Sequence, residues 1–377
     1  MHIPFCPNPR CRYHHHKPAA AGDVFRPYGS YATAAHGVVT RYRCRECRRT
    51  FSRQTFRVDY YTKRRVSYRE VTKRLVSCES QRAIARALDI SHASVRNRIA
   101  RQARQDIARL LELLPLAACE EAFVADGLES FCYAQDFPTH YTVLAGSESQ
   151  LLYGFTYATL RRKGRMTASQ KRRCKRLKPV YQKIVLPLSE SFTALCEQLV
   201  RLCAEAAADR IVQDTDEHPA YRRAISAHPV LGVWRGCERY VHRTTSSKLP
   251  RTAANPLFAA NYLDREMRKD LHEHARETVC FPRNAPASLE RFVVYAAYHN
   301  FEKRYRINQP PADTTTHGEV AGIPRKELRA VSHRYRRTRA FASKLPLWGV
   351  FEEVWFRKAP TAFKTTPEYL PKHCKAA

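Results

Sequence analysis

Hydrophobic residues recur at helical spacing over residues 67–104 of the chain. Ser67, with Glu70 three residues later, has the pattern of a capping box and predicts a helix that ends at about Cys78. The following segment, QRAIARALDISHASVRNRI, predicts two more helices joined by the short turn DIS. Ser91 is placed to cap the second of these helices.

The last of these helices has one apolar face and one polar face. Val95 and Ile99 lie four residues apart and are predicted to face inward. The side chains predicted to point outward are His92, Ser94, Arg96, Asn97, Arg98 and Arg101. The turn, the cap and the basic face indicate a helix-turn-helix that offers Arg to guanine and Asn to adenine in the major groove. The alternative is an ordinary helical hairpin with a solvated basic face. The leucine-rich residues 105–118 continue the helix, either as a dimer contact or as a packed linker.

From residue 119 the pattern changes to short runs of Val, Leu, Tyr and Thr, which are typical of strands. Three strands are predicted in succession, in EAFVADGL, THYTVLAGSES and QLLYGFTYATL. They are followed by an amphipathic helix (189–208), a strand that ends in acids (209–216), another strand (230–241) and a helix (255–275). The predicted order is β-β-β-α-β-β-α. A basic, polar stretch at 161–178 interrupts it and indicates a mobile insertion or a DNA-contacting loop.

The charge of the chain indicates a polyanionic partner. The 377 residues include 66 Lys and Arg against 35 Asp and Glu, a formal net charge of +31. Such a chain attracts polyanions, usually DNA or RNA, although a generally basic surface is the alternative. We expect no membrane association, because no apolar stretch reaches 18 residues and the N-terminus lacks the pattern of a signal peptide. The 13 scattered cysteines, an odd number, then predict reduced thiols and a cytoplasmic protein.

Four cysteines near the N-terminus are spaced as two metal-binding knuckles. Cys6 and Cys11 flank PNPR, and Cys44 and Cys47 flank RE, so each pair lies on a tight turn. Four thiolates in this arrangement predict a tetrahedral, structural Zn²⁺ site of the ribbon type. The first spacing is wider than usual, so a histidine from the run at 14–16 could replace Cys11. Zinc would supply much of the folding energy of so small a unit.

Three acids are candidates for metal-dependent chemistry. Asp126 ends the apolar run of the first predicted strand of the central region, and Asp216 ends the fourth. The last predicted helix offers Asp264, with Glu266 and Asp270 as rivals. Three meandering strands, a helix, an acid-tipped strand and an acidic helix are the layout of the ribonuclease-H-like fold. Its carboxylates hold two Mg²⁺ or Mn²⁺ ions about 4 Å apart, which support phosphodiester cleavage.

Two of these acids have close competitors in the sequence. Asp264 is favoured because it lies one helical turn before Arg268, whereas Glu266 points about 160° away and is predicted to be exposed. Asp214 lies two residues before Asp216 and shares its strand face. Asp216 is favoured because the end of a strand is where a metal is reached.

Taken in order, four segments resemble a bacterial insertion-sequence transposase of the DDE type, over roughly residues 1–300. The segments are YRCRECRRTF, QRAIARALDISHASVRNRI, TDEHPAY, and NYLDREMRK with its downstream ARETVCFPRN. The resemblance implies that Asp126, Asp216 and Asp264 are catalytic, and that the protein works as a homodimer or higher oligomer on DNA. The expected partners are the terminal inverted repeats of its own element and target DNA. One departure is that Asn261 precedes Asp264, whereas in the family the acid precedes the amide.

The predicted fold class is multidomain α+β and α/β. It comprises a zinc ribbon (1–56), a helix-turn-helix with a linker helix (60–118), a ribonuclease-H-like mixed sheet flanked by helices (119–300, with a basic insertion at 161–187) and a basic C-terminal extension (301–377). The leading function is cleavage of 3′ ends and strand transfer. The alternatives are a non-catalytic DNA-binding regulator from a decayed transposase, and a related nuclease such as a junction resolvase. An intact catalytic triad would distinguish the transposase from the regulator. The reaction product would distinguish it from the nuclease, which has the same triad but no strand transfer.

Overall fold

The computed structural model describes residues 3–16, 24–204, 208–276 and 278–364. This part of the chain contains a three-stranded sheet near the N-terminus and a five-stranded sheet in the middle. The chain is therefore a mixed α/β protein with a mixed sheet flanked by helices, as the sequence predicts.

The N-terminal unit is a small antiparallel sheet. It comprises α1 (Arg12–His15), β1 (Phe25–Thr33), β2 (Gly37–Cys44), β3 (Thr50–Ser52) and a 3-10 turn (Arg53–Phe56). Phe25, Phe51 and Phe56 form its core, and Phe341 from the C-terminal part completes this core. A core of this size needs a second source of stability.

Three helices follow the N-terminal unit. They are α2 (Tyr68–Leu75), α3 (Gln81–Ala87) and α4 (His92–Leu113). The serine hydroxyls of Ser67, Ser80 and Ser91 each accept a hydrogen bond from the backbone N–H three residues on, and the caps at Ser67 and Ser91 are those that the sequence predicts. α2 ends earlier than predicted, and Cys78 adopts a φ of 63° that a right-handed helix does not contain.

The long helix α4 runs from the surface into the interior of the protein. Arg104 donates to Glu290 at 2.8 Å, and Arg109 donates to Asp106 at 2.9 Å and to Glu302 at 3.1 Å. The leucine-rich end of α4 belongs to the same hydrophobic core as the larger sheet. This stripe is therefore a linker packed within the chain.

The larger sheet has an antiparallel half and a parallel half, which meet at its central strand. Its strands are β4 (Phe123–Phe131), β5 (Pro138–Gly146), β6 (Leu152–Thr159), β7 (Ile211–Asp216) and β8 (Tyr240–Thr245). Their spatial order is β6-β5-β4-β7-β8. β4, β5 and β6 pair antiparallel, whereas β7 pairs in parallel with both β4 and β8. β5 and β6 are buried along almost their whole length, as expected of a sheet covered on both faces.

Helices surround this sheet, and one of them replaces part of a predicted strand. They are α5 (Ala168–Arg176), α6 (Lys178–Ile184), α7 (Leu188–Cys203), α8 (Pro219–Ala227), α9 (Pro229–Gly236), α10 (Phe258–Asp270) and α11 (Ala285–Phe301). The strand predicted at 230–241 is wrong in its first part, because α9 occupies those residues and β8 begins only at Tyr240. Pro229 suits the first helical turn, and His228 accepts a hydrogen bond from the Leu231 N–H. Val233 of this helix is 70% exposed, so its apolar run does not reflect a buried strand.

The basic insertion at 161–187, which the sequence indicates is a mobile insertion or a DNA-contacting loop, contains the two helices α5 and α6. These helices pack around a small core of their own. In this core the Tyr181 ring contacts Phe137, and the Tyr181 hydroxyl lies 3.6 Å from the Cys174 sulfur and donates to the Asp136 carbonyl at 2.8 Å. The Arg and Lys side chains of the stretch therefore lie on a folded surface.

The C-terminal part packs on the linker helix and on the N-terminal unit. Its helices are α12 (His317–Val320), α13 (Arg325–Arg337) and α14 (Gly349–Phe356), and shorter 3-10 turns lie at Leu114–Leu116 and Ala342–Lys344. Gln105 of α4 donates to the carbonyls of Tyr335 and Thr338 at 2.6 Å. Residues 365–377 of the predicted extension lie outside the described residues. No helix in the described part of the chain has both the length and the apolar character that a membrane span needs.

Candidate functional site

Asp126 lies on the central strand β4, beside the strand β7 that ends at Asp216. Ala125 and Thr215 are partners across this parallel pair, so the aspartates that follow them stand at the same level. Asp126 Oδ1 accepts a hydrogen bond from the next backbone N–H at 2.7 Å. Asp216 Oδ1 accepts one at 2.8 Å from the backbone N–H two residues on. The two predicted sheet acids are therefore neighbours on adjacent strands.

Asp264 lies near Asp126, on the helix α10 that packs against β4 and β5. Burial raises the pKa of Asp264 to about 7, and the nearby charge of Asp126 acts in the same direction. Burial likewise raises the pKa of Asp126 to about 6, with a further contribution from Asp216. Asp264 Oδ1 is buried and has no hydrogen-bond partner among the described residues. The three carboxylates form a run of like charges that a cation would stabilise.

Tyr221 on α8 is a common neighbour of the three carboxylates. Its pKa is raised by burial, and the charges of Asp126, Asp216 and Asp264 each add to the increase. The Tyr221 ring stacks on Phe192 with 4.2 Å between ring centroids, which fixes the phenol beside the acids. The sequence signal for this residue is the segment TDEHPAY, in which a tyrosine follows the second acid.

The two rival acids on α10 are occupied elsewhere. Lys303 Nζ donates to the carboxylates of both Glu266 and Asp270, and Lys269 Nζ donates to Glu266 at 2.7 Å. Glu266 was predicted to be exposed, and this prediction is wrong because it is only 5% exposed. Its lysine partners compensate its buried charge, which the spacing of acids on one helix could not reveal.

The alternative to the second acid is also occupied. Asp214 is buried and accepts two hydrogen bonds from the Arg243 guanidinium on β8, at 2.8 and 2.6 Å. This bidentate pair uses both oxygens of the Asp214 carboxylate. Asp216, at the end of β7, has no such cationic partner among the described residues.

A glycine beside Asp126 makes room for a histidine that sequence reasoning missed. A Cβ atom on Gly127 would lie 1.9 Å from the His140 ring, so a larger residue there would force the ring to move. Burial lowers the pKa of His140 to about 4, and its Nδ1 lies 3.0 Å from the Thr142 hydroxyl. No sequence signal identifies His140, because the contact depends on the register between β4 and β5.

The four predicted zinc ligands form one compact cluster. The sulfur atoms of Cys6 and Cys47 lie 3.6 Å apart, and those of Cys11 and Cys44 lie 3.8 Å apart. Tetrahedral Zn²⁺ with bonds of about 2.3 Å to sulfur requires sulfur atoms about 3.8 Å apart. The cluster is therefore consistent with a structural zinc site.

The four cysteines are clustered more tightly than the three aspartates. Within the described ranges, they are the one group of three or more potential ligands whose donor atoms all lie within 4.8 Å of one another. The carboxylate oxygens of Asp126, Asp216 and Asp264 do not all lie within this distance of one another. Mg²⁺ keeps several of its waters and requires few protein ligands, so it does not need a closed cage.

The histidine run does not supply a zinc ligand. His14 Nδ1 lies 2.7 Å from the Cys6 carbonyl oxygen, and His14 Nε2 lies 2.7 Å from the Ser343 hydroxyl. His15 contacts the Pro9 carbonyl oxygen instead. His14 therefore supports the backbone of one cysteine and links the ribbon to the C-terminal part.

The predicted DNA-reading face of α4 is smaller than expected. His92, Arg96 and Asn97 are exposed, and Ser94 is half-buried. Arg98 was predicted to point outward, and this is wrong because it is buried and donates to the Ser94 and Arg64 carbonyls. Arg101 is half-buried and donates to the Tyr60 carbonyl at 2.6 Å, with its guanidinium over the Tyr60 ring.

Neither the protein-family models nor the curated proteins include a match to this chain.

Proposed function

We propose that this chain is a DNA transposase of the DDE type. It would bind the terminal inverted repeats of an insertion sequence, cleave the 3′ ends and join them to target DNA, with Mg²⁺ or Mn²⁺ at the active site. The observation that carries the proposal is the convergence of three otherwise uncommitted acids, Asp126 on β4, Asp216 on β7 and Asp264 on α10.

The arrangement of the sheet supports the ribonuclease-H-like part of the proposal. Three antiparallel strands meander from β4 at the centre of the sheet outward to β6, and the two parallel strands β7 and β8 lie on the other side of β4. The acids lie on the first and fourth strands in chain order, and the third lies on a helix that packs on the first. This is the layout that the ribonuclease-H-like interpretation of the sequence requires.

The donor set fits divalent cations that prefer oxygen ligands. Asp126, Asp216 and Asp264 would hold the ions, and the buried, unpartnered Oδ1 of Asp264 is one donor. When bound, the ions would activate the attacking water or 3′-hydroxyl and stabilise the leaving oxygen. The chain positions the carboxylates through the paired backbones of β4 and β7. Tyr221 lies beside them, and its ring is stacked on Phe192.

The basic N-terminal half fits the binding of DNA ends. The exposed face of α4 presents Arg96 and Asn97, which match guanine and adenine in the major groove. The zinc ribbon carries further arginines on β1 and β2, of which Arg26 is exposed and Arg41 is half-buried. The net charge of +31 suits a polyanionic partner. We expect a homodimer or higher oligomer on DNA, since two ends must be joined.

The test is a cleavage and joining assay on labelled DNA that carries the ends of the element. Wild type is compared with Asp126→Asn and Asp264→Asn, and with Glu217→Gln as a control that removes a neighbouring exposed charge. The proposal predicts Mg²⁺-dependent joining by wild type and the control, and loss of joining by about 10²-fold or more in both aspartate variants with DNA binding retained.

The other outcomes identify the alternatives. Cleavage without joining would indicate a nuclease related to the junction resolvases. Sequence-specific binding by wild type without any cleavage would indicate a regulator derived from a transposase.

A further inference from the structure

A groove separates the start of the helix-turn-helix from the larger domain. It encloses about 1020 Å³ and lies between α3 and α4 on one side and residues 279–284 with α11 on the other. Six basic side chains line it, namely Arg82, Arg96, Arg283, Arg291, Arg357 and Lys364. We call it the junction groove.

The positive charge of the junction groove is not neutralised from within. Its lining contains no carboxylate among the described residues. Arg291 is paired with the buried Glu273, and Arg357 is paired with the buried Glu290. Arg82, Arg283 and Lys364 are exposed and have no ion pair with a carboxylate of the described residues. Several cations are thus concentrated in one concave surface, where their fields add.

Two histidines also line the groove. Burial lowers the pKa of His92, and the charges of Arg96, Arg82 and Arg291 lower it further. His272 lies on the opposite side of the groove, where burial lowers its pKa and the charge of Glu273 acts in the opposite direction. His272 Nδ1 is buried without a hydrogen-bond partner among the described residues. The groove therefore combines excess positive potential with an unsatisfied polar atom.

The two walls of the groove are held in a fixed relation. Arg96 of one wall belongs to α4, and farther along the same helix Arg104 donates to Glu290 at 2.8 Å. Arg357 of the groove donates to the same Glu290 carboxylate at 2.7 and 2.9 Å. One buried acid thus ties the reader helix to the groove, so the groove is built into the fold and does not require closure of a loop.

We propose that the junction groove holds the phosphate backbone of the DNA that the reader helix binds. This inference rests on the proposed function and adds a contact that fixes the DNA between the reader helix and the catalytic domain. Arginine and lysine suit phosphate, and contacts to the backbone position DNA without reading its sequence. The groove would set the register at which the DNA passes from α4 toward the sheet.

The test measures the salt dependence of binding to a fluorescent duplex of arbitrary sequence. The zinc-loaded full-length protein is titrated between about 50 and about 200 mM salt. The groove variant carries Arg82→Ala, Arg283→Ala and Lys364→Ala. The control variant carries Arg210→Ala, Lys326→Ala and Arg329→Ala, which removes the same charge from exposed positions outside the groove.

The proposal predicts that the slope of log K against log salt falls in magnitude by about 2 to 3 in the groove variant, because each lost phosphate contact contributes about 0.9. The control is expected to stay close to wild type. Equal slopes in wild type and the groove variant, or equal losses in groove and control variants, would overturn the groove proposal and leave DNA binding intact. Failure of wild type to bind any duplex would overturn the proposed function as well.

Discussion

Asp264 on α10 lies close enough to Asp126 on β4 for the Asp126 charge to help raise the pKa of Asp264 to about 7, with burial as the larger cause. A helix and a strand that are 138 residues apart in sequence therefore share one electrostatic site. This relationship is the physical basis for assigning both residues to one centre.

The first prediction concerns pH in buffer without added divalent metal. The folded-state pKa of Asp264 is above its ordinary value of 3.8, so the fold favours the protonated form. Its contribution to stability is fully present below about pH 4 and is lost as the pH rises through about 7. Asp264→Asn is therefore expected to be more stable than wild type at pH 8, by about 1–3 kcal/mol, and closer to wild type at pH 4. Urea unfolding at the two pH values measures the difference, and an Asn variant that is less stable at pH 8 would contradict the assignment.

The second prediction concerns the glycine beside Asp126. Gly127→Ala would place a methyl group against the His140 ring, with an expected cost of about 1–3 kcal/mol in the free energy of unfolding. The double variant Gly127→Ala with His140→Ala is expected to recover part of this loss. A double-mutant cycle measures the coupling, and strictly additive effects would show that the ring can move away without cost.

The third prediction concerns the cysteine cluster. Cys44→Ser is expected to reduce bound zinc well below one ion per chain and to lower the unfolding temperature of the N-terminal unit, because it removes one of the four clustered sulfur atoms. His14→Gln is the matched control and is expected to retain zinc, since both ring nitrogens of His14 bond elsewhere. Zinc content and thermal unfolding are measured together. Loss of zinc from the His14 variant with retention in the Cys44 variant would reverse the ligand assignment.

The fourth prediction separates two neighbouring arginines of α4. Arg98→Ala is expected to lower stability by about 1–3 kcal/mol, because the guanidinium is buried on two backbone carbonyls. Arg96→Ala is expected to change stability by no more than about 0.5 kcal/mol and to weaken DNA binding. Chemical unfolding and binding to duplex DNA are compared for the two variants. Equal losses of stability would show that Arg96 is also part of the packed interior.

The periodic parts of the fold could be predicted from the sequence, and the long-range pairings could not. Ser91 marks the start of α4, and the three consecutive strands from Phe123 onward follow their alternating or apolar runs. The apolar run at 230–241 was assigned to a strand because helix and strand share short apolar patterns, and the capping role of His228 was overlooked.

The candidate site could likewise be predicted only in part from the sequence. Asp126 is visible in the sequence at the end of an apolar run and Asp216 at the end of a predicted strand, whereas their closeness depends on the parallel register of β4 and β7. The partners that occupy the rival acids, Lys303 for Glu266 and Arg243 for Asp214, come from other elements of the fold. Local spacing cannot supply such partners, because they depend on the tertiary structure.

The most direct test of the central claim is to measure Mn²⁺ binding by electron paramagnetic resonance. The zinc-loaded protein is used in complex with duplex DNA. We predict that wild type binds two Mn²⁺ ions and that Asp126→Asn and Asp264→Asn lose this binding. Glu266→Gln is expected to bind Mn²⁺ as wild type does, because Lys303 and Lys269 already pair with the Glu266 carboxylate. Equal Mn²⁺ binding by wild type and both aspartate variants would contradict the claim that these acids form a divalent-metal site.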